Sequence, residues 1–126
     1  MEKKIINTGK APAPIGPYSQ AVRAGNLVFV SGQICIDPAT GELKNADIKE
    51  EAKQVMENLK SIINEAGMDF DNVIKTTIFL TNMNDFPVVN EIYGSYFRSD
   101  FPARETVAVA ALPKFVNVEI SVVLMN

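Results

Sequence analysis

Apolar residues recur along this chain with two different periods, and the points where the period changes divide it into elements. The first feature is a proline-rich stretch, APAPIGP (residues 11–17), whose three prolines and one glycine force an ordered, extended loop. Two short strand-like runs follow, QAVRAG and NLVFVSGQI, separated by Gly25-Asn26, and this pattern predicts a tight hairpin. Asp37-Pro38 through Gly41 forms a second turn, with Glu42-Leu43-Lys44 a short extended piece. From Ile48 to Ala66 the period lengthens. Ala52, Val55, Met56, Leu59, Ile62, Ile63 and Ala66 fall at three- and four-residue spacing, on one face of a helix. Asp47 stands at the N-cap position with Glu50 three residues on, and Gly67 follows the last apolar position. Most of the opposite face is Lys, Glu, Gln and Asn, so this helix covers something on one side only.

Val73 to Thr81 is β-branched and predicts a strand. Asp85 is placed to cap a second helix with the stripe Phe86, Val89, Tyr93, Tyr96 and Phe97. Glu105–Leu112 and Val118–Met125 predict the last two strands. The order strands, helix, strand, helix, strands describes one α+β domain over residues 1–126, a mixed sheet with both helices on one face. In VAVAAL and VEISVVLM nearly every position is apolar or small, so both faces of these strands call for cover. Two helices cover only one face of a sheet. A second subunit is the economical cover for the other, which predicts a closed symmetric assembly. An Ala- and Ser-rich face left partly wet is the other solution.

Composition narrows the chemistry. At 47% hydrophobic and 21% charged residues the chain reads as an ordinary globular protein, and no apolar run approaches the roughly 18 residues of a membrane span. MEKKIINTGK lacks the apolar stretch of a secretory signal, so the expected compartment is the cytoplasm. The single cysteine, Cys35 in GQICID, excludes an intrachain disulfide and reads as a small buried hydrophobe rather than a reactive thiol. There is no histidine, which removes the commonest metal ligand and the commonest general base together. No metal site and no organic cofactor is expected. A net charge of −3 without a basic stripe argues against nucleic acid as a partner. Any catalysis therefore rests on carboxylates, arginine, hydroxyls, backbone groups and water.

A few polar residues stand where such chemistry could begin. Glu119 interrupts an apolar strand, and a carboxylate there is either a structural ion pair or functional. Arg104, one of three arginines, follows Pro102-Ala103 at a strand entrance, where a solvated charge is the plain alternative. Tyr18 ends the rigid IGPY segment and is equally a pocket residue or an anchoring aromatic. Ser31-Gly32 closes VFVSG, either as a simple turn or as a point where backbone approaches a ligand. Asn90 lies on the polar side of the second helix, where a solvent-facing amide is the simplest reading.

Taken in order, IGPYSQAV, LVFVSGQI, KTTIFLTNMNDFPVVNEIY, FPAR and VNVEISVV resemble the RidA/YjgF family over essentially the whole chain. The resemblance implies a chorismate-mutase-like α+β fold and a homotrimer with clefts between subunits. It further implies hydrolysis of reactive 2-imino (or enamine) acids to 2-keto acids and ammonia. The family's substrate-binding arginine falls on Arg104 and its water-positioning glutamate on Glu119. Its pocket elements fall on Tyr18, Ser31, Gly32 and Asn90. One departure stands out: many members carry a cysteine two residues after the arginine, and here that position is Thr106. The resemblance counts it among the substrate-binding residues, acting through its backbone carbonyl, so threonine can serve there and a thiol-dependent role is excluded. Two other readings keep the same cleft or the same relatives. One is a non-catalytic trimeric sensor of small keto acids, for which Glu119 would be dispensable. The other is an endoribonuclease or translation inhibitor, which the acidic balance and the lack of histidine oppose.

Overall fold

The computed structural model describes residues 2–126. Six strands and two helices follow in the order β1 (Lys3–Ile6), β2 (Ala21–Ala24), β3 (Leu27–Gln33), α1 (Ile48–Glu65), β4 (Val73–Leu80), α2 (Phe86–Gly94), β5 (Ala103–Ala108) and β6 (Val118–Met125). The strands form one mixed sheet in the order β1-β2-β3-β6-β4-β5. Only the β4–β5 pair is parallel. Parallel neighbours need a crossover, and α2 supplies it.

The predicted hairpin is β2–β3, closed by Gly25-Asn26 with Ala24 opposite Leu27. Gly25 takes the positive φ of 62° that a glycine-first two-residue turn needs. The long helix starts as its sequence indicates. Glu50 N donates to Asp47 Oδ1 at 2.7 Å, and Ala46 N donates to Glu50 Oε2 at 3.0 Å. It ends on Gly67 with φ of 77°, where Met68 N donates back to Ile63 O at 3.1 Å. Its apolar face (Val55, Met56, Leu59, Ile62 and Ile63, none more than 1% exposed) packs on Val28, Ile78, Ile120 and Leu124 of the sheet. Each such side chain removed from water contributes about 1.5–3 kcal/mol before entropy is counted, so this layer is the main adhesive of the fold.

Four expectations change. β1 was not foreseen, because an edge strand in which only Ile6 turns inward carries no alternation. Asp85 does not cap α2: it is already helical (φ −80°, ψ −11°) and its side chain makes no capping bond. Instead Asn82 Oδ1 accepts from Asn84 N at 2.9 Å and starts a single tight turn that runs into the helix. α2 stops at Gly94, so Tyr96 and Phe97 lie beyond it in three-residue turns, with Phe97 N donating to Gly94 O. Phe97 is nonetheless 9% exposed, with its ring centroid 4.8 Å from that of Tyr93. β5 runs from Ala103 to Ala108 rather than from Glu105 to Leu112. Its register on β4 begins at Lys75–Ala103 and ends at Leu80–Ala108, where β4 itself ends.

The second face of the sheet is uncovered within one chain. β6 alternates buried Val118, Ile120, Val122 and Leu124 with half-buried Glu119, Ser121 and Val123, while β5 is exposed everywhere except at Thr106. Phe29, Val107 and Met125 lie open on this face at 44–47% exposure. Among the described residues, no helix is long and apolar enough to cross a membrane.

Candidate active site

Glu119 and Arg104 belong to two separate clefts on opposite faces of the sheet. Strand register fixes this, since side chains in one cross-strand row point the same way. Arg104 lies in the row of Thr76 and Val122, which faces the helices. Glu119 lies in the row of Phe79 and Val107, which faces away from them.

The Glu119 cleft has a volume of about 560 Å³, with Tyr18, Ser31, Gly32 and Lys114 among its lining residues and Ile15, Ile34 and Ile36 forming apolar wall. A one-residue bulge shapes it. Between the pairs Val30–Val122 and Gln33–Ile120, β3 advances three residues while β6 advances two. The extra length falls at Ser31-Gly32. A Cβ placed on Gly32 would sit 2.7 Å from Glu119 Oε2 and 2.8 Å from its Cδ, so only glycine leaves room for this carboxylate. Burial pushes the Glu119 carboxyl above its ordinary range, and among the described residues no cation lies within salt-bridge distance to offset it.

The proline-rich loop forms one wall and is pinned rather than free. Buried Gln20 donates through Nε2 to Thr8 O at 3.0 Å and Pro12 O at 2.9 Å, and its Oε1 accepts from Thr8 N at 2.8 Å. Ser31 Oγ donates to Ser19 O at 2.6 Å, so this hydroxyl holds the loop and keeps only acceptor capacity toward the cleft. Tyr18 is half-exposed, and its hydroxyl accepts from Ile15 N at 3.3 Å.

The Arg104 cleft, about 430 Å³, is lined by Asn90, Tyr93, Gly94, Phe101, Pro102 and Arg104. Arg104 Nη1 donates to Asn90 Oδ1 at 2.7 Å. The guanidinium lies 5.3 Å from the ring centroid of Phe86 and 5.2 Å from that of Tyr93, within cation–π range of both. Tyr93 is itself fixed by donating to Thr76 Oγ1 at 2.9 Å. The arginine is thus oriented by two rings and an amide, while among the described residues its other N–H groups meet no hydrogen-bond partner and can take a planar anion. Thr106 points to the same face two residues on but does not line the cleft. Its Oγ1 is buried without a hydrogen-bond partner among the described residues.

The structure therefore groups Tyr18, Ser31, Gly32 and Glu119 in one half and Asn90 with Arg104 in the other. It does not bring the halves together within one chain. Asn90 is not a plain solvent-facing amide, since it holds the arginine. Lys114, absent from the sequence reading, lines the Glu119 half, and nothing in its surroundings in the sequence distinguishes it from other surface lysines. Cys35 is fully buried, and its thiol is pushed up to about 11, chiefly by desolvation and next by the charge of Glu51, so it is structural.

Comparison with known proteins agrees with this architecture. The family model described as Endoribonuclease L-PSP matches residues 8–125. The human protein named 2-iminobutanoate/2-iminopropanoate deaminase is 51% identical over 124 residues, covering 98% of this chain and 90% of its own. A RutC family protein of Pyrococcus abyssi is also 51% identical, covering 98% of this chain and 97% of its own. The crystal structure of E. coli TdcF with bound serine superposes with a TM-score of 0.94 at 44% identity, covering 98% of both chains. The two-helix, six-stranded mixed sheet is shared with these solved relatives, and this chain belongs to the Endoribonuclease L-PSP family, the RidA/YjgF proteins.

Proposed function

We propose that this protein is an enamine/imine deaminase that hydrolyses reactive 2-imino acids, such as 2-iminobutanoate and 2-iminopropanoate, to 2-keto acids and ammonia. The reaction takes place in clefts between the subunits of a homotrimer. Arg104 of one subunit grips the substrate carboxylate, and Glu119 of the partner subunit positions and deprotonates the water. The observation that carries this reading is the placement of an oriented, open guanidinium and a desolvated, unpaired carboxylate on opposite faces of one sheet. Neither half accounts for the other within one chain. A second copy that covers the open face supplies the missing half and also covers Phe29, Val107 and Met125.

The chemistry follows from the groups present. Two parallel charge-assisted hydrogen bonds from Arg104 to the carboxylate fix the adjacent C=N carbon. Water adds to the carbon of the protonated imine as Glu119 takes one of its protons, giving a neutral carbinolamine. The protonated Glu119 then returns that proton to nitrogen. As the C–N bond breaks and C=O forms, the hydroxyl proton passes to the Glu119 carboxylate and on to the departing ammonia, leaving the 2-keto acid. A carboxyl whose affinity for protons is raised by burial suits these transfers, and such help is typically worth about 10²–10⁴-fold. The human relative, 51% identical, is named for this reaction. RNA cleavage rests on names alone, the family model's among them, and finds neither a histidine nor a basic stripe in this sequence. TdcF's bound serine carries the kind of carboxylate Arg104 would grip.

The test is a coupled assay. Threonine and a pyridoxal-phosphate dehydratase generate 2-iminobutanoate in amine-free buffer, and keto-acid formation is followed with and without this protein. Acceleration that disappears in Arg104→Ala, and largely in Arg104→Lys, is the expected result. No acceleration from folded protein would move the reading to a binder of small keto acids.

A further inference from the structure

Among the described residues, Phe115 is the most exposed large hydrophobic, at 89%. Its exposure is built in. Leu112 and Val116 on either side are buried at 8% and 1%, and Phe115 N donates to Leu112 O at 2.9 Å, so the turn cannot fold its ring inward. Lys114 and Phe115 both take φ of 56°, two successive left-handed residues without a glycine. For stability alone these positions call for glycine, which has no Cβ to crowd the carbonyl, or asparagine, whose short polar side chain can hydrogen-bond locally, and neither exposes an apolar ring. Outliers of this kind persist where a site depends on them.

The turn also has a location. Pro113 and Lys114 line the Glu119 cleft, so the turn that carries Phe115 borders it, with the Phe115 ring itself outside the lining. The rim of the other half-site carries a second exposed aromatic, Phe101 at 64%, beside Pro102 and Arg104. When one copy's Arg104 faces another copy's Glu119, these two rims meet. We propose that Phe115 is an inter-subunit docking residue: its ring seats against Phe101 and Pro102 of the partner subunit and closes the apolar side of the shared cleft. This rests on the split-site reading above. Paired aromatics at the centre of an interface are where association energy concentrates.

Phe115→Gly tests it cleanly, because glycine suits the left-handed backbone and the variant has no conformational reason to misfold. Sedimentation velocity over a dilution series compares it with the parent chain and with Phe115→Leu. The expected result is dissociation of Phe115→Gly at a concentration about tenfold or more above the parent's, with Phe115→Leu recovering most of the loss. With both held fully assembled, the KM for 2-iminobutanoate should also rise several-fold in the glycine variant while kcat changes little. Dissociation of Phe115→Gly at the parent's concentration would overturn the docking role, and an unchanged KM would overturn closure of the cleft. A parent chain that stays monomeric throughout would overturn the split-site reading along with it. Absence of deaminase activity would leave the dissociation readout intact, so the two failures remain distinct.

Discussion

At the scale of single residues the candidate site depends on one close approach, that of the Gly32 backbone to the Glu119 carboxylate. In Gly32→Ala the new methyl would meet the carboxylate, which is the movable end of a flexible side chain, rather than backbone. The fold should therefore change little in melting temperature, while kcat/KM falls on the order of 10²-fold because the carboxylate swings off its position. A matching melting loss in the double variant Gly32→Ala/Glu119→Ala would show the clash to lie elsewhere. Glu119 itself gives a prediction of opposite sign in stability and activity. Its carboxyl binds a proton more tightly folded than unfolded, so this group favours folding below its unfolded pKa and opposes it as pH rises through the raised folded value. Near neutral pH, Glu119→Gln should melt at the same or a higher temperature while losing about 10²–10⁴-fold in rate. The parent's acid limb in kcat/KM should lie above the ordinary glutamate range and vanish in the variant. Thermal melts with a pH–rate profile check both, and a large destabilisation would make Glu119 a structural group. Glu119 was legible in the sequence because a carboxylate breaks an apolar strand. The reason for Gly32 was not, because it lies across the sheet in a residue eighty-seven positions away by number.

Between elements, the strand carrying Glu119 is held in place by a different carboxylate. Glu51, fully buried on α1, accepts from Asn117 N at 2.7 Å, Asn117 Nδ2 at 2.8 Å and Val118 N at 3.0 Å, pinning the start of β6 to the helix. Asn58, seven residues on, donates to Ile34 O and Ile36 O at 3.0 and 2.8 Å and ties the same helix to the segment after β3. Removing an acceptor that serves buried donors costs more than the bond itself was worth. Glu51→Ala should lose about 2–4 kcal/mol in urea unfolding, with Glu51→Gln intermediate because its carbonyl still accepts. Loss below about 0.5 kcal/mol would mean that water replaces the carboxylate. The helical period places 51, 55, 58 and 62 on one arc, so the burial of Glu51 and Asn58 was available in the pattern but hidden by their polarity. α1 and β6 were readable because long periodic runs speak for themselves. The end of α2 and the limits of β5 were not, since Tyr96 and Phe97 pack as well from a turn as from a helix, and β5 ends where its partner does.

For the whole molecule the central fact is that strand register assigns Arg104 and Glu119 to opposite faces. No reading of the sequence could supply that, because shifting β5 by one residue on β4 would reverse it. The need for cover on the second face was legible in the runs VAVAAL and VEISVVLM; which residues meet across it was not. The consequence can be tested without any structure of the assembly. Arg104→Ala and Glu119→Ala are each expected to be inactive alone, since every site lacks one partner. If each site takes its arginine from one subunit and its glutamate from the next, unfolding and refolding an equal mixture regenerates intact sites by chance. A given site then receives an intact arginine half the time and, independently, an intact glutamate half the time, so about a quarter of the sites are complete. Recovered activity should approach about one quarter of the parent's, and it should fall as either variant comes to dominate the mixture. Sites made within one chain would recover nothing at any ratio, because every chain would carry a broken site. A quarter-maximal recovery that peaks at the equal ratio would therefore mean that the uncovered sheet face, the unpaired Glu119 and the open Arg104 are all consequences of a site divided between two copies.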